Sequence, residues 1–193
     1  MTKSLVPIVE GQSEVESAGL LLRRLLHVGG VFDWSVARPF RVKRNKVVRC
    51  GELEKAIVQS QRSRESAGAI VVILDADDDC PAELGPELTE RAGAATDLPV
   101  AVVLAERELE AWLLGSKESL RGARGIASDA TAPAGPQAIR DAKGELSRNM
   151  TGDRRYISVD DQPALVEALD LELAARRCPS FKRLMTVVGE LAA

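Results

Sequence analysis

The stretch IVVILDADDDC, Ile70 to Cys80, runs through an unbroken apolar segment and then places four aspartates within five residues. A short run that is apolar on both faces reads as a strand buried inside a parallel sheet. A strand merely returning to the surface would leave through one or two polar turn residues. This one ends in a dense block of negative charge, and that charge needs a partner.

The elements on either side repeat the pattern. SLVPIVEG (4–11) reads as a strand over Leu5 to Val9, followed by helical spacing at Val15, Ala18, Gly19, Leu22, Leu25 and Leu26. WSVARPFRVKR (34–44) holds a weak or edge strand, because Pro39 cannot donate to a central ladder. GELEKAIVQSQRSRES (51–66) has helical period through Leu53, Ile57 and Val58. PAELGPELTERAG (81–93) predicts a helix from Pro81 to Gly93 that Gly85-Pro86 can break, and LPVAVVLA (98–105) predicts another buried strand. Strands alternating with helices imply an α/β fold with a parallel sheet covered on both sides. ERELEAWLL (106–114) then starts a helix. Residues 115–137, rich in Gly, Ser, Ala and Pro, read as a loop excursion, and helices follow over Ala138 to Met150, Gln162 to Arg177 and Ser180 to Leu191. Residues 1–114 are read as the sheet core and 138–193 as a helical C-terminal part of one domain spanning 1–193.

Composition narrows the chemistry. The chain has 193 residues, 45% of them apolar but only 3% aromatic, so its core rests on Leu, Val, Ile and Ala. A net charge of -3 gives no global attraction to nucleic acid or an anionic membrane, so nucleic-acid contact would need a local basic surface or metal ions. Cys50, Cys80 and Cys178 form no CxxC pattern and His27 is the lone histidine, which argues against zinc and against Ser/His or Cys/His catalysis. Reduced thiols, no secretory leader and no membrane-spanning run lead to the expectation of a cytoplasmic protein without membrane contact. Carboxylates are the better supply of chemistry.

In open parallel sheets the strand-to-helix loops gather at the carboxyl edge. Glu10, Asp75 with Asp77, and Glu106 each follow a strand there. If extended geometry persists, Asp75 and Asp77 point to one side, and neighbouring strands about 5 Å apart let Glu10 join them. Such acids repel and raise one another's pKa; a divalent cation removes that cost, and oxygen ligands select Mg²⁺, Mn²⁺ or Ca²⁺. Plainer readings stand beside this. Asp78 and Asp79 can be a solvated turn and the helix cap before Pro81. Ser13-Glu14-Val15-Glu16 forms an S-x-x-E capping box that accounts for Glu16, and the helix dipole alone favours an acid at Glu14. Glu106 and Glu110 lie one helical turn apart with Glu108 on another face, so one helix cannot present all three to one metal. Trp112, Leu113 and Leu114 read as core, and His27 as structural or solvent-facing. An EF-hand fails at two positions, Cys80 in place of the glycine and Pro86 in place of the bidentate glutamate. RPFRVKRNKVVR (38–49) offers Arg38, Arg41, Lys43, Arg44, Lys46 and Arg49 to a phosphate backbone, although charge on an edge strand also deters aggregation.

IVEGQSE, LDADDD, LAERELEAWLL, VDDQPAL and CPSFKRL, in that order and across nearly the whole chain, resemble the stand-alone TOPRIM-like DUF4276 proteins of bacteria and archaea. The TOPRIM domain is the metal-binding fold of topoisomerases, primases and the overcoming-lysogenization-defect (OLD) nucleases. The resemblance implies a TOPRIM-like, Rossmann-like, mainly parallel four-stranded sheet. It puts acid/base or metal roles on Glu10, and Mg²⁺ or Mn²⁺ on Asp75 and Asp77, with Asp79 a further candidate ligand. It matches Glu14 to a second acid of OLD-like sites, Glu108 to a further ligand and Lys143 to a catalytic lysine. The implied function is Mg²⁺-dependent phosphodiester hydrolysis on nucleic acid, DNA before RNA, contacted through Arg38, Arg41, Lys43, Arg44 and Lys46. OLD nucleases carry an ATPase; this chain has no GxxxxGK[ST] loop, so a motor would be a separate subunit. A phage-defence setting and a homodimer complete the expectation. Rival readings are a metal-binding regulatory module without turnover and a DxD nucleotide-sugar glycosyltransferase. A haloacid-dehalogenase-like phosphatase ranks lower, because its DxD nucleophile belongs on the first strand.

Overall fold

Two prolines shape one edge of the sheet. A computed structural model describes residues 2–62, 64 and 66–193. Among these, strand β1 (Lys3–Val9) is flanked on one side by two short strands, β2 (Trp34–Val36) and β3 (Phe40–Arg41), both parallel to it. The carbonyls of Leu5 and Val9 accept from Ala37 and Val42 at 2.9 and 2.8 Å. Pro7 shares their parity, so its nitrogen, which has no hydrogen, faces the same flank, and Pro39 lies in the gap between β2 and β3. No ladder bond can form where both donors are missing. The expected edge strand is therefore split, and five described strands occupy the four positions that were anticipated.

On the other side of β1 run β4 (Ala67–Asp75), in register from Leu5 with Ala69 to Val9 with Ile73, and then β5 (Val100–Ala105). All pairings are parallel, in the order β2-β1-β4-β5. Side chains alternate between two cores. Leu5, Val9, Val71 and Ile73 face helix α1 (Gln12–Val28), whereas Val6, Ile8, Ile70, Val72 and Leu74 face α3 (Glu52–Arg62) and α4 (Pro81–Gly93). The short α2 (Arg44–Val47) joins β3 to α3. Ser63 and Glu65 of the helix expected to reach residue 66, and Met1, lie outside the described residues. The chain leaves β1 toward β2 and returns to β4 on the opposite side, so a crevice opens at the carboxyl ends of β1 and β4.

The C-terminal part completes the α1 face with α5 (Glu110–Gly115), α6 (Ala142–Arg148), α7 (Ser158–Ala168), α8 (Leu171–Arg177) and α9 (Pro179–Leu191). Residues 115–137 are irregular apart from three 3-10 turns, yet they are packed: Leu120 and Ile126 are buried, and Ile126 bridges to Met150. The helix expected over Gln162 to Arg177 divides at Leu169-Asp170, because Asp170 caps α8 by accepting from Leu173 N–H at 2.9 Å. Gly85-Pro86 does not interrupt α4. Trp112, Leu113 and Leu114 are core residues, Trp112 meeting Phe181 edge-on, and exposed His27 packs against Phe32. Cys50 and Cys80 are exposed thiols and Cys178 a buried one. Among the described residues no helix is long and apolar enough to cross a membrane.

Candidate metal centre

α1 starts almost directly after β1, and the turn between them is tied by Glu14. Its carboxylate reaches back from the first helical turn and accepts from the N–H groups of Glu10 and Gly11, each at 3.2 Å. The cap is thus formed by Gly11 and Glu14; the box expected from Ser13 and Glu16 is not used, and Glu16 is exposed. A Cβ on Gly11 would lie 2.7 Å from Glu14 Oε1, so the absence of a side chain there is what lets the carboxylate fold back.

Asp75 ends β4, and its Oδ1 accepts from Leu109 N–H at 2.7 Å. Glu10, Glu14 and Asp75 each bring one carboxylate oxygen within 4.8 Å of the others, a group that could hold a metal ion. Glu14 and Asp75 are buried, Glu10 partly so, and Glu10 Oε2 is buried with no hydrogen-bond partner among the described residues. Burial raises the pKa of each. Glu10 is pushed up to about 7, by burial first and then by the charges of Glu14 and Asp77. Glu14 is raised chiefly by burial, and Asp75 is held well above the carboxylate range by burial and by Glu14, Glu110 and Glu10.

The rest of the aspartate block turns elsewhere. Ala76 N–H still bonds to Ala105, but Asp77 adopts φ 52 and Arg107 opposite it φ 64, with Asp77 N–H on the Arg107 carbonyl at 3.0 Å. Extended geometry does not persist to Asp77, so the two acids of the DxD do not point together. Asp77 is exposed, and its Oδ2 lies 3.1 Å from Arg44 Nε, near enough for an ion pair though not aligned as a hydrogen bond. Arg44 also binds Asp79 and, at 2.9 Å, the Ala76 carbonyl. Asp78 pairs with Arg107 and Arg140 at 3.1 and 2.7 Å. Asp77, Asp78 and Asp79 therefore have arginines as partners, and Asp79 does not cap α4, whose N-cap is Cys80 without a side-chain bond. Asp77 remains close enough to Glu10 to raise its pKa.

The third wall of the site differs from expectation. Residues 106–109 are not helical, because Arg107 is left-handed, and α5 begins only at Glu110. Glu106 is exposed and bonds to Gln137 at 3.1 Å, away from the acids. Glu108 and Glu110 instead share Lys143: Nζ is 3.0 Å from Glu108 Oε1 and 3.6 Å from Glu110 Oε2. Burial opposes the Lys143 ammonium, but Glu110, Glu108 and Asp75 together outweigh it and raise its pKa. Glu110 is buried and accepts from Tyr156, Ser158 and Gln162 at 3.0, 3.2 and 3.2 Å, and Gln162 in turn accepts from Ser17 of α1 at 2.6 Å. Sequence reasoning did not place Glu110 or Gln162 in the site. The available signal was the i, i+2 pair Glu108 and Glu110 just past a strand, which assuming a continuous helix hid.

Of the basic segment, Arg38, Arg41, Lys43 and Lys46 are at least partly exposed. Arg41 stands beside the acids, donating to the Glu10 carbonyl at 3.2 Å and to Gln12 at 3.4 Å. Arg44 is mostly buried and engaged by the aspartate loop, so its visible role is to hold that loop. A family model described as a domain of unknown function (DUF4276) matches residues 9–189. No curated protein and no solved structure matches the chain.

Proposed function

Since the chain belongs to the DUF4276 family, whose description names no activity, its chemistry has to come from its own acids, and we propose that it is a Mg²⁺- or Mn²⁺-dependent phosphodiesterase of the TOPRIM type, a nuclease. The observation that carries this reading is the convergence of Glu10, Glu14 and Asp75 within 4.8 Å, with one buried Glu10 oxygen that has no hydrogen-bond partner among the described residues. Buried acids brought so close are costly as anions, and their donor set is oxygen throughout, which suits a hard divalent cation and not zinc.

Glu10, Glu14 and Asp75 would hold the ion. When bound, such a cation polarises a phosphoryl oxygen and makes a water acidic enough to attack at neutral pH. The surrounding residues supply the rest. In this reading Glu10 would accept a proton through the carboxylate oxygen that does not hold the ion. Lys143, fixed by Glu108 and Glu110, puts a positive charge beside the acids where a phosphoryl group would add negative charge. In this reading Arg38, Arg41, Lys43 and Lys46, of which Arg41 donates to the Glu10 carbonyl, would be the contacts for a nucleic-acid backbone, DNA before RNA. Asp77 and Asp79 would reach an ion only by leaving Arg44. The TOPRIM and nucleotide-sugar readings both drew on the Asp75-Asp77 pair, which is not formed; what favours the first is the cluster of Glu10, Glu14 and Asp75, for which a sugar-donor site has no evident need. A separate ATPase subunit and a role in phage defence belong to the same proposal through the resemblance to OLD nucleases, and a cytoplasmic setting and a homodimer are proposed with them.

Incubation with supercoiled, linear and single-stranded DNA and with RNA, in Mg²⁺, Mn²⁺ or EDTA, tests the reading. Cutting that depends on the metal is expected. Metal uptake without cutting would favour the regulatory module. Gly11→Ala gives a finer check: its Cβ displaces the Glu14 carboxylate, and Mn²⁺ affinity by titration calorimetry is expected to fall about tenfold.

A further inference from the structure

Where β3 and α2 meet α3 lies a cavity of about 450 Å³ lined by Phe40, Arg41, Lys43, Lys46, Lys55 and Gln59. That volume falls within the range of small-ligand pockets. Its lining is strongly cationic in a chain whose net charge is -3. Among the described residues that line it the one acid is Glu52, which is 2.7 Å from Lys55 and also feels the charges of Lys46 and Arg49, so the lysines and arginines still outnumber it. The other aromatic side chains are engaged elsewhere. Trp112 packs on Phe181, Tyr156 bonds to Glu110, Trp34 lies under the Lys3 ammonium and Phe32 meets His27. Phe40 is half-buried against the core beneath α3, and its remaining surface lines the cavity beside the basic residues.

From these neighbours we infer that the cavity binds one unpaired nucleotide of a single strand, its base against Phe40 and its phosphates on Arg41, Lys43 and Lys46. An apolar ring with cations around it serves a base and a phosphate together. A duplex could use only the cations, because its base faces are already stacked. Arg41 belongs to both places: it lines the cavity and donates to the Glu10 carbonyl. Through Arg41 the cavity is joined to the turn that carries Glu10, and on the nuclease reading this makes single-stranded ends or unpaired segments the substrate class. The inference rests on the nuclease reading for its purpose, but its test does not depend on turnover.

Fluorescence anisotropy with a short labelled oligothymidylate in EDTA reads binding without chemistry. The full-length protein is expected to bind this strand more tightly than a duplex of equal length. Lys46→Glu, at an exposed position, should weaken binding about tenfold and flatten its salt dependence. Phe40→Leu, which keeps an apolar side chain, should weaken it roughly fivefold with the salt dependence unchanged. An oligouridylate arm shows whether the sugar matters; tight binding of either single strand supports the pocket. Preference for the duplex, no binding, or affinities indifferent to both substitutions would overturn it. Should single strands bind in this way while no substrate is cut in any metal, the pocket stands and the nuclease reading fails. Should metal-dependent cutting occur while binding ignores Phe40→Leu and Lys46→Glu, the nuclease reading stands and the pocket fails.

Discussion

Asp75→Asn is expected to remove metal-dependent cleavage and, with metal withheld, to make the protein more stable. The two effects have one cause. Asp75 is buried at the end of β4 among Glu14, Glu110 and Glu10, whose charges raise its pKa on top of burial. Asparagine keeps an oxygen to accept the Leu109 N–H at 2.7 Å, so the fold loses no hydrogen bond while an unfavourable charge disappears. The expected gain is at least about 1 kcal/mol, or ~2–4 °C in Tm for a chain of this size. The same change takes away a ligand, and the several kcal/mol a divalent cation supplies to phosphodiester chemistry corresponds to a loss on the order of 10³-fold in rate.

Metal and pH extend this prediction. Glu10 has its pKa raised to about 7 and those of Glu14 and Asp75 are raised too, so between the ordinary carboxylate range and about pH 7 the folded chain retains protons that the unfolded chain has released. The stability of the metal-free protein should therefore fall as pH rises from about 4.5 toward 7, because the native state binds more protons there. Millimolar Mg²⁺ or Mn²⁺ should restore it above that window in the wild type, and Asp75→Asn should show much less of that response. Thermal melts across pH, with EDTA or metal, check this. A wild type indifferent to metal, or an Asp75→Asn protein less stable than wild type in EDTA, would remove the basis for a metal centre.

Lys143→Met is expected to destabilise the metal-free protein by roughly 2–3 kcal/mol, and Glu110→Gln added to it to recover at least about 1 kcal/mol of that loss. Glu110 is buried beneath Lys143 and lies close enough to Glu14 and Asp75 to raise their pKa values, so without the ammonium it is left as an uncompensated anion. Lys143 itself is 44% exposed, which puts the cost below that of a fully buried pair. Amidation of Glu110 removes the charge and leaves an oxygen for Tyr156 and Ser158. Urea denaturation of the two single variants and the double variant in EDTA measures the coupling. Additive effects would mean that Lys143 acts on Glu108 alone.

The path from residues to site was legible where it depended on strand period. A strand ending at Val9 beside one ending at Asp75 brings Glu10 and Asp75 together whatever the helices do, because parallel strands in register end at the same edge. Pro39 marked an edge position as a missing donor, but that the strand splits there into β2 and β3 was not expected, since it also takes Pro7 on the facing strand. Glu14 was visible as a first-turn acid, and only its fold-back over Gly11 converts that position into membership of the cluster. The turns were another matter. Asp77 and Arg107 take left-handed conformations as a facing pair, joined by a hydrogen bond between loops that α4 and β5 separate in the chain, and no local pattern announces it.

The sequence by itself determined the α/β architecture, the edge where acids gather and the identity of the two strand-end carboxylates, because period and chain direction are local properties. Only the tertiary structure decided that Asp77, Asp78 and Asp79 go to Arg44, Arg107 and Arg140, and that Glu110 rather than Glu106 stands behind the site. The physical reason is that a charge settles where its counter-charge and a backbone donor are both within reach. Those partners arrive from segments far away in the chain, which the spacing of neighbouring residues does not encode.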